Sequence, residues 1–84
     1  MLLSQNVGVR TLGLSRTRIL VQLSSPLTTT QLAEFLRLAA GNTSAHLTAL
    51  RRAGMVTSHR QGHRVLYSRT VLAEQLLTAA GARS

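Results

Sequence analysis

The amino-acid sequence predicts a mainly α-helical domain with one small β-hairpin, and three observations predict it. Apolar residues recur at helical spacing in four stretches, around Ile19-Leu20-Leu23, Leu32-Phe35-Leu36, Leu47-Leu50 and Leu72-Leu76-Leu77. The third stretch stops at Gly54 and is followed at once by two short alternating runs about Gln61-Gly62-His63. The chain has 84 residues, enough for one small domain and no second one. Hydrophobic residues make up 44% of it, yet only Phe35 and Tyr67 are aromatic, so aliphatic side chains must close a thin core.

Taken in order, residues 1–13 show no firm period, are interrupted at Gly8 and Gly13, and read as an N-terminal arm. Ser15 is placed to cap a first helix that turns Ile19, Leu20 and Leu23 inward, and Ser24, Ser25 and Pro26 end it. Leu27 crosses an extended link. Thr28-x-x-Gln31 is a capping box opening a second helix with Leu32, Phe35 and Leu36 as its inner face. After a short turn over residues 38–41, a third helix runs to about Ala53, with Gly54 as the left-handed residue that ends it. At about 100° per residue, Thr43, Leu47 and Leu50 face inward, and Gly41, Ala45, Thr48, Ala49 and Arg52 face out.

Residues 55–60 and 64–68 alternate as two strands, and Gly62 supplies the positive φ that their turn needs. Thr70 caps a last helix with Leu72, Leu76 and Leu77 on its apolar side, ending before Gly81. A three-helix core, a two-stranded wing and a C-terminal helix make a winged helix-turn-helix over residues 14–80, with a tail at 81–84.

Ten Arg stand against Glu34 and Glu74, a formal charge of +8 without a single Lys or Asp. Guanidinium forks grip phosphate in bidentate fashion and stack on bases. The Args are spread over several elements, so nucleic acid is expected before a membrane surface. Coding bias toward GC-rich triplets would also replace Lys by Arg, so the net charge, not the choice of Arg, carries this argument.

The absence of Cys excludes disulfides, thiolate metal sites and thiol redox chemistry. His59 and His63 are four apart across a strand and turn, which does not put both on one face, so no metal and no other cofactor is expected. Glu34 and Glu74 lie on separate helices, and neither a Gly-rich phosphate loop nor a Gly-x-Ser-x-Gly elbow occurs, so no enzyme is expected. No run reaches the roughly 18 apolar residues of a membrane span. Residues 1–33 carry Arg10, Arg16 and Arg18 without an acid, the composition of a transit peptide, but Ile19, Leu20 and Leu23 are needed for the core. A cytoplasmic protein is the expectation.

Several blocks, in order, resemble the DNA-binding domain of arsenical-repressor-like (ArsR-type) transcriptional regulators, with a MarR-like flavour. They are Arg18-Ile19-Leu20, then Thr30-Gln31-Leu32-Ala33, then Ser44-Ala45-His46-Leu47-x-x-Leu50-Arg51-x-Ala53-Gly54-x-Val56, and on the wing Arg60-x-Gly62-x-Arg64-Val65-Leu66-Tyr67. The resemblance covers roughly residues 14–77. It implies that Asn42, Ser44, Ala45, His46, Thr48 and Arg52 lie near DNA on the recognition helix, and that Arg60, Gly62, His63 and Arg64 do so on the wing.

The residues themselves leave alternatives open. Asn42 either pairs with adenine or caps the third helix, and Ser44 meets a phosphate oxygen or a local backbone group. His46, on the flank, touches phosphate or packs against the second helix with its ring nitrogen satisfied. Arg52 faces out, near a C-terminal end where it also suits the helix dipole. Arg60 and Arg64 reach phosphates or a narrow minor groove, or belong to a solvated hairpin. Gly41, Ala45 and Ala49 are too small for hydrogen-bond readout, so shape and phosphate contacts are expected to carry much of the binding.

Two departures from the resemblance stand out. Ala39-Ala40 occupies the entry to the third helix, where Ser, Thr or Asp is usual. The chain also looks like the C-terminal DNA-binding module of a longer regulator. It is then either a stand-alone regulator that dimerises through the first and last helices (Leu72, Leu76) or a truncated product. The expected function is sequence-specific binding of double-stranded DNA as a homodimer, repressing by promoter occlusion. The alternative is a winged-helix protein-interaction module, such as a truncated antagonist of a longer regulator, without DNA binding of its own.

Overall fold

A computed structural model describes residues 13–81, in the order α1 (Leu14–Gln22), α2 (Thr29–Leu36), α3 (Ala40–Arg52), β1 (Val56–Gln61), β2 (Arg64–Arg69) and α4 (Val71–Ala80). The expected mainly α fold with a hairpin wing is what this chain forms. Residues 1–12 of the expected arm and residues 82–84 of the tail lie outside the described residues.

Helix α1 begins two residues earlier than the Ser15 cap predicts. Its N-cap is Gly13, without a side-chain bond, and Thr17 Oγ1 donates to the Gly13 carbonyl at 2.9 Å. The capping box of α2 forms as predicted: Thr28 Oγ1 accepts from the Gln31 N–H at 3.1 Å, and Gln31 Oε1 accepts from the Thr28 N–H at 2.9 Å. Two first-turn donors are thereby satisfied. Thr28→Ala should therefore cost about 1 kcal/mol, lowering the thermal midpoint by roughly 4–8 °C for a domain of this size, with Thr28→Ser close to wild type. Denaturation followed by circular dichroism measures it.

The core is aliphatic and draws on every helix and on the wing: Ile19, Leu20 and Leu23 from α1 and its end, Leu32 and Leu36, Leu47 and Leu50, Val56, and Ala73 and Leu77. Phe35 is not part of it. It is 61% exposed, whereas Leu32, Ala33 and Leu36 are buried. Measured from Leu32, Leu36 lies at about 40° and Ala33 at about 100°, while Phe35 lies about 60° the other way. The buried arc is centred on the Leu36–Ala33 side, so spacing alone put Phe35 on the wrong flank.

The turn into α3 is shorter than predicted, because α2 ends at Arg37 in the left-handed region (φ 55°) and α3 already starts at Ala40. Gly54 (φ 76°) follows the α3 C-cap as expected. Both strands run one residue beyond their predicted ends, pairing antiparallel from Val56↔Arg69 to Gln61↔Arg64. The turn therefore holds two residues, not three. Gly62 (φ 64°) has the sign that a type II′ turn requires of its first central residue.

Contacts at both strands' helix-side ends seat the wing on the rest of the fold. Leu27, in the α1–α2 link, exchanges backbone hydrogen bonds with Tyr67 (3.1 and 2.8 Å), adding a one-residue bridge along β2. Thr70 Oγ1 accepts from the Ala73 N–H, capping α4 as predicted, and donates to the Gly54 carbonyl at 2.7 Å. The base of the hairpin is thus tied to the end of α3. Of the predicted apolar side of α4, Leu77 is buried, while Leu72 is 50% exposed.

Candidate nucleic-acid interface

Helix α3 separates its faces as its sequence dictates. Thr43, Leu47 and Leu50 are buried, while Gly41, Asn42, Ala45, Thr48 and Arg52 are exposed or half-exposed along the opposite side. The Thr43 hydroxyl would be a liability in the core, but it donates to the Ala39 carbonyl at 3.0 Å. Ala39 provides no side-chain cap, so the first-turn N–H groups of α3 stay open to an external acceptor.

Asn42 is the third residue of α3, not its cap. The capping alternative is therefore closed, and its exposed amide keeps two donors and an acceptor for another molecule. Thr48 Oγ1 donates to the Ser44 carbonyl at 3.0 Å, which commits its proton inside the helix and leaves its methyl and oxygen lone pairs facing out. Ser44 is exposed, and its own hydroxyl makes no intramolecular hydrogen bond among the described residues. Ala45 offers only a methyl group. Arg52 is exposed beside Arg51 in the last turn, where both also complement the helix dipole.

His46 is half-buried, and its partner is not on α2. Arg16, in α1, donates from Nε to His46 Nδ1 at 3.2 Å. Residues 30 positions apart give no local sign of such a contact, and no sequence pattern announced Arg16 as part of this surface. Arg51 is a second residue that spacing missed: its Nη1 donates to Ser58 Oγ on β1 at 3.1 Å, a side-chain tie between recognition helix and wing.

On the wing, Arg60, His63 and Arg64 are all exposed. Gln61 and Arg64 flank the turn directly, and Arg60 stands opposite Val65 one step below. Cross-strand partners share a face and neighbours alternate, so the two guanidinium groups project from opposite faces of the ribbon rather than forming one patch. Arg69 is different in kind. With its side chain 11% exposed, it pairs with Glu74 at 2.8 Å and donates to the Leu20 carbonyl at 3.2 Å, serving the fold. From residue 40 to residue 69 the chain has no Asp or Glu, so every formal charge carried by α3 and the wing themselves is positive.

Among the described residues, no three of His, Asp and Glu come together as metal ligands, and no helix is long and apolar enough to cross a membrane. The surface can therefore offer guanidinium, amide, hydroxyl and imidazole donors, plus methyl groups, to a polyanion with groove-like relief.

Comparison with known proteins agrees with this reading. Residues 13–58 match the family described as bacterial regulatory protein, arsR family. A search among curated proteins gives no match. Among solved structures, a predicted DNA-binding transcriptional regulator from E. coli is 28% identical, with a TM-score of 0.73 over 90% of this chain and 85% of that one. Reduced HlyU from Vibrio cholerae shares the fold at 24% identity and TM-score 0.73, covering 88% of this chain and 82% of that one. ZitR from Lactococcus lactis, solved as a single-site mutant in complex with DNA, shares it at 22% identity and TM-score 0.73, covering 82% of this chain but 50% of ZitR.

Proposed function

Because the chain belongs to the arsR family of bacterial regulatory proteins, we propose that it binds double-stranded DNA sequence-specifically and lowers transcription by covering a promoter. The observation that carries this reading is that α3 and the wing, without an acid from residue 40 to residue 69, expose Asn42, Arg52, Arg60 and Arg64. Helix α3 would enter the major groove while the wing follows the neighbouring backbone or minor groove. Asn42, Ser44, Ala45, His46, Thr48, Arg52, Arg60, His63 and Arg64 are the residues we assign to that contact. ZitR was solved in complex with DNA, and MepR from S. aureus bound to an oligodeoxyribonucleotide, which supports the same use of this fold here.

We place the working domain at residues 14–80, acting in the cytoplasm as a symmetric dimer on a two-part site. Leu14, Val71 and Leu72, at 62%, 73% and 50% exposed, supply apolar surface on α1 and α4 for a second copy. A second reading, a protein-interaction module that antagonises a longer regulator, is favoured by one observation: the large aromatic Phe35 faces solvent on α2.

Salt separates the two readings. Duplex binding by this surface should weaken with a log–log slope of about −0.9 per phosphate neutralised, and a chain that binds no duplex even at low salt would leave only the protein-contact reading. In the same assay, Asn42→Ala should cost about 1–3 kcal/mol of preference for adenine at one position in each half-site. Random-duplex affinity should barely change. Sequencing of library members retained by the two proteins measures this.

A further inference from the structure

We propose that Arg51 is a positioning residue for the wing: by holding Ser58 it sets the angle of the ribbon to α3, so that Arg60 and Arg64 meet DNA already aimed. The proposal deepens the DNA-binding reading and rests on it. Arg51 Nη1 donates to Ser58 Oγ at 3.1 Å, and among the described residues this is the one hydrogen bond that joins α3 to either strand. The other polar ties of the hairpin come from elsewhere: Leu27 on Tyr67, Leu20 and Glu74 on Arg69, and Gly54 and Met55 on Thr70 just beyond β2.

None of these ties reaches higher than the third rung, Ser58↔Tyr67, of the six that run from Val56↔Arg69 to Gln61↔Arg64. Above it, only Leu66 is buried. Arg60 and Arg64 stand on the fifth and sixth rungs, without a hydrogen bond to the helices among the described residues. A two-stranded ribbon is marginal by itself, so the direction of its outer half follows from how the inner half is held. Val56, Ser58 and Arg60 alternate onto one face: Val56 is in the core, Ser58 is half-buried and Arg60 is exposed. Arg51 thus grips the face that carries Arg60, about 7 Å short of it along the strand. Leu27 holds the opposite strand at the same rung. Only the Arg51 contact, however, comes from the helix that would enter the groove. A loose wing must be ordered when it binds, which lowers affinity, whereas a held wing is ordered beforehand.

Ser58→Ala removes the acceptor without touching any charge. Duplex binding should weaken roughly threefold to tenfold, with the salt slope unchanged because no phosphate contact is lost. Arg51→Ala should do the same, and Ser58→Thr, which keeps the hydroxyl, should restore wild-type affinity. Coupling is the discriminating measurement. In a protein that already carries Arg60→Ala and Arg64→Ala, or one that already carries Arg51→Ala, Ser58→Ala should weaken binding no further. In the free protein, NMR relaxation should show the backbone of residues 59–65 more mobile in Ser58→Ala than in wild type. The thermal midpoint should stay put, since Arg51 is exposed and Ser58 half-buried.

A loss from Ser58→Ala that is undiminished in the Arg60→Ala, Arg64→Ala protein would overturn the proposal and leave the DNA-binding reading intact. So would an Arg51→Ala slope less steep by about 0.9, the mark of a direct phosphate contact. A wild-type chain that ignores duplex DNA would overturn the DNA reading itself and the proposal with it.

Discussion

Replacing Leu47 by Ala should remove about 3–4 kcal/mol of stability, roughly a quarter or more of what a domain of this length has. Leu47 is 1% exposed and sits on the inward face of α3, in an all-aliphatic core shared by the helices and the wing. Truncating a buried Leu removes its transfer free energy and leaves a cavity, about 3–4 kcal/mol in all. A domain of this length is stable by only roughly 4–13 kcal/mol at 0.05–0.15 kcal/mol per residue. The same substitution would loosen the packing of α3 on the core and weaken any DNA binding that depends on its orientation. Phe35→Ala is the control, since Phe35 has the larger side chain but is 61% exposed, and its loss should change stability by no more than about 0.5 kcal/mol. Urea unfolding of both variants measures the contrast. A Leu47→Ala protein as stable as Phe35→Ala would show that the core is elsewhere.

The double substitution Arg60→Ala with Arg64→Ala should weaken duplex binding by roughly a hundredfold at low salt, taking about 1.5 kcal/mol per charged hydrogen bond. The salt slope should become less steep by about 1.8 per protomer, two phosphates at about 0.9 each. Because the side chains project from opposite faces of the ribbon, the two single losses should add, as expected for sites that share no partner. Both positions are exposed, so thermal stability should stay put. Arg69→Ala should behave the other way, losing the bonds to Glu74 and the Leu20 carbonyl and lowering stability. Full affinity in the double variant would remove the wing from the interface.

Much of this architecture could be read along the chain because its signals are local. The Thr28 capping box, the Thr70 cap, Gly54 after α3 and Gly62 in the turn each depend on residues within a few positions, and each forms as its spacing dictates. The inward face of α3 was legible for the same reason, since three buried positions recur at one helical period. Where spacing failed, two placements fit it equally well. Leu32 has apolar neighbours on both sides of α2, and the pattern could not say which flank the core would claim. Asn42 suits a cap or a first turn, and the early start of α3 at Ala40 decided between them.

The sequence by itself determined a mainly α chain with a hairpin wing, its caps and turns, and an acid-free, Arg-bearing stretch from residue 40 to residue 69, because periodicity, turn chemistry and charge are carried by neighbouring residues. Only the tertiary structure decided that Phe35 faces solvent, that Arg16 holds His46, that Arg51 reaches Ser58 and that Leu27 bridges Tyr67. Those outcomes follow from how helices cross and where the wing seats. Such packing is fixed by the whole core at once and leaves no trace at any one position of the chain.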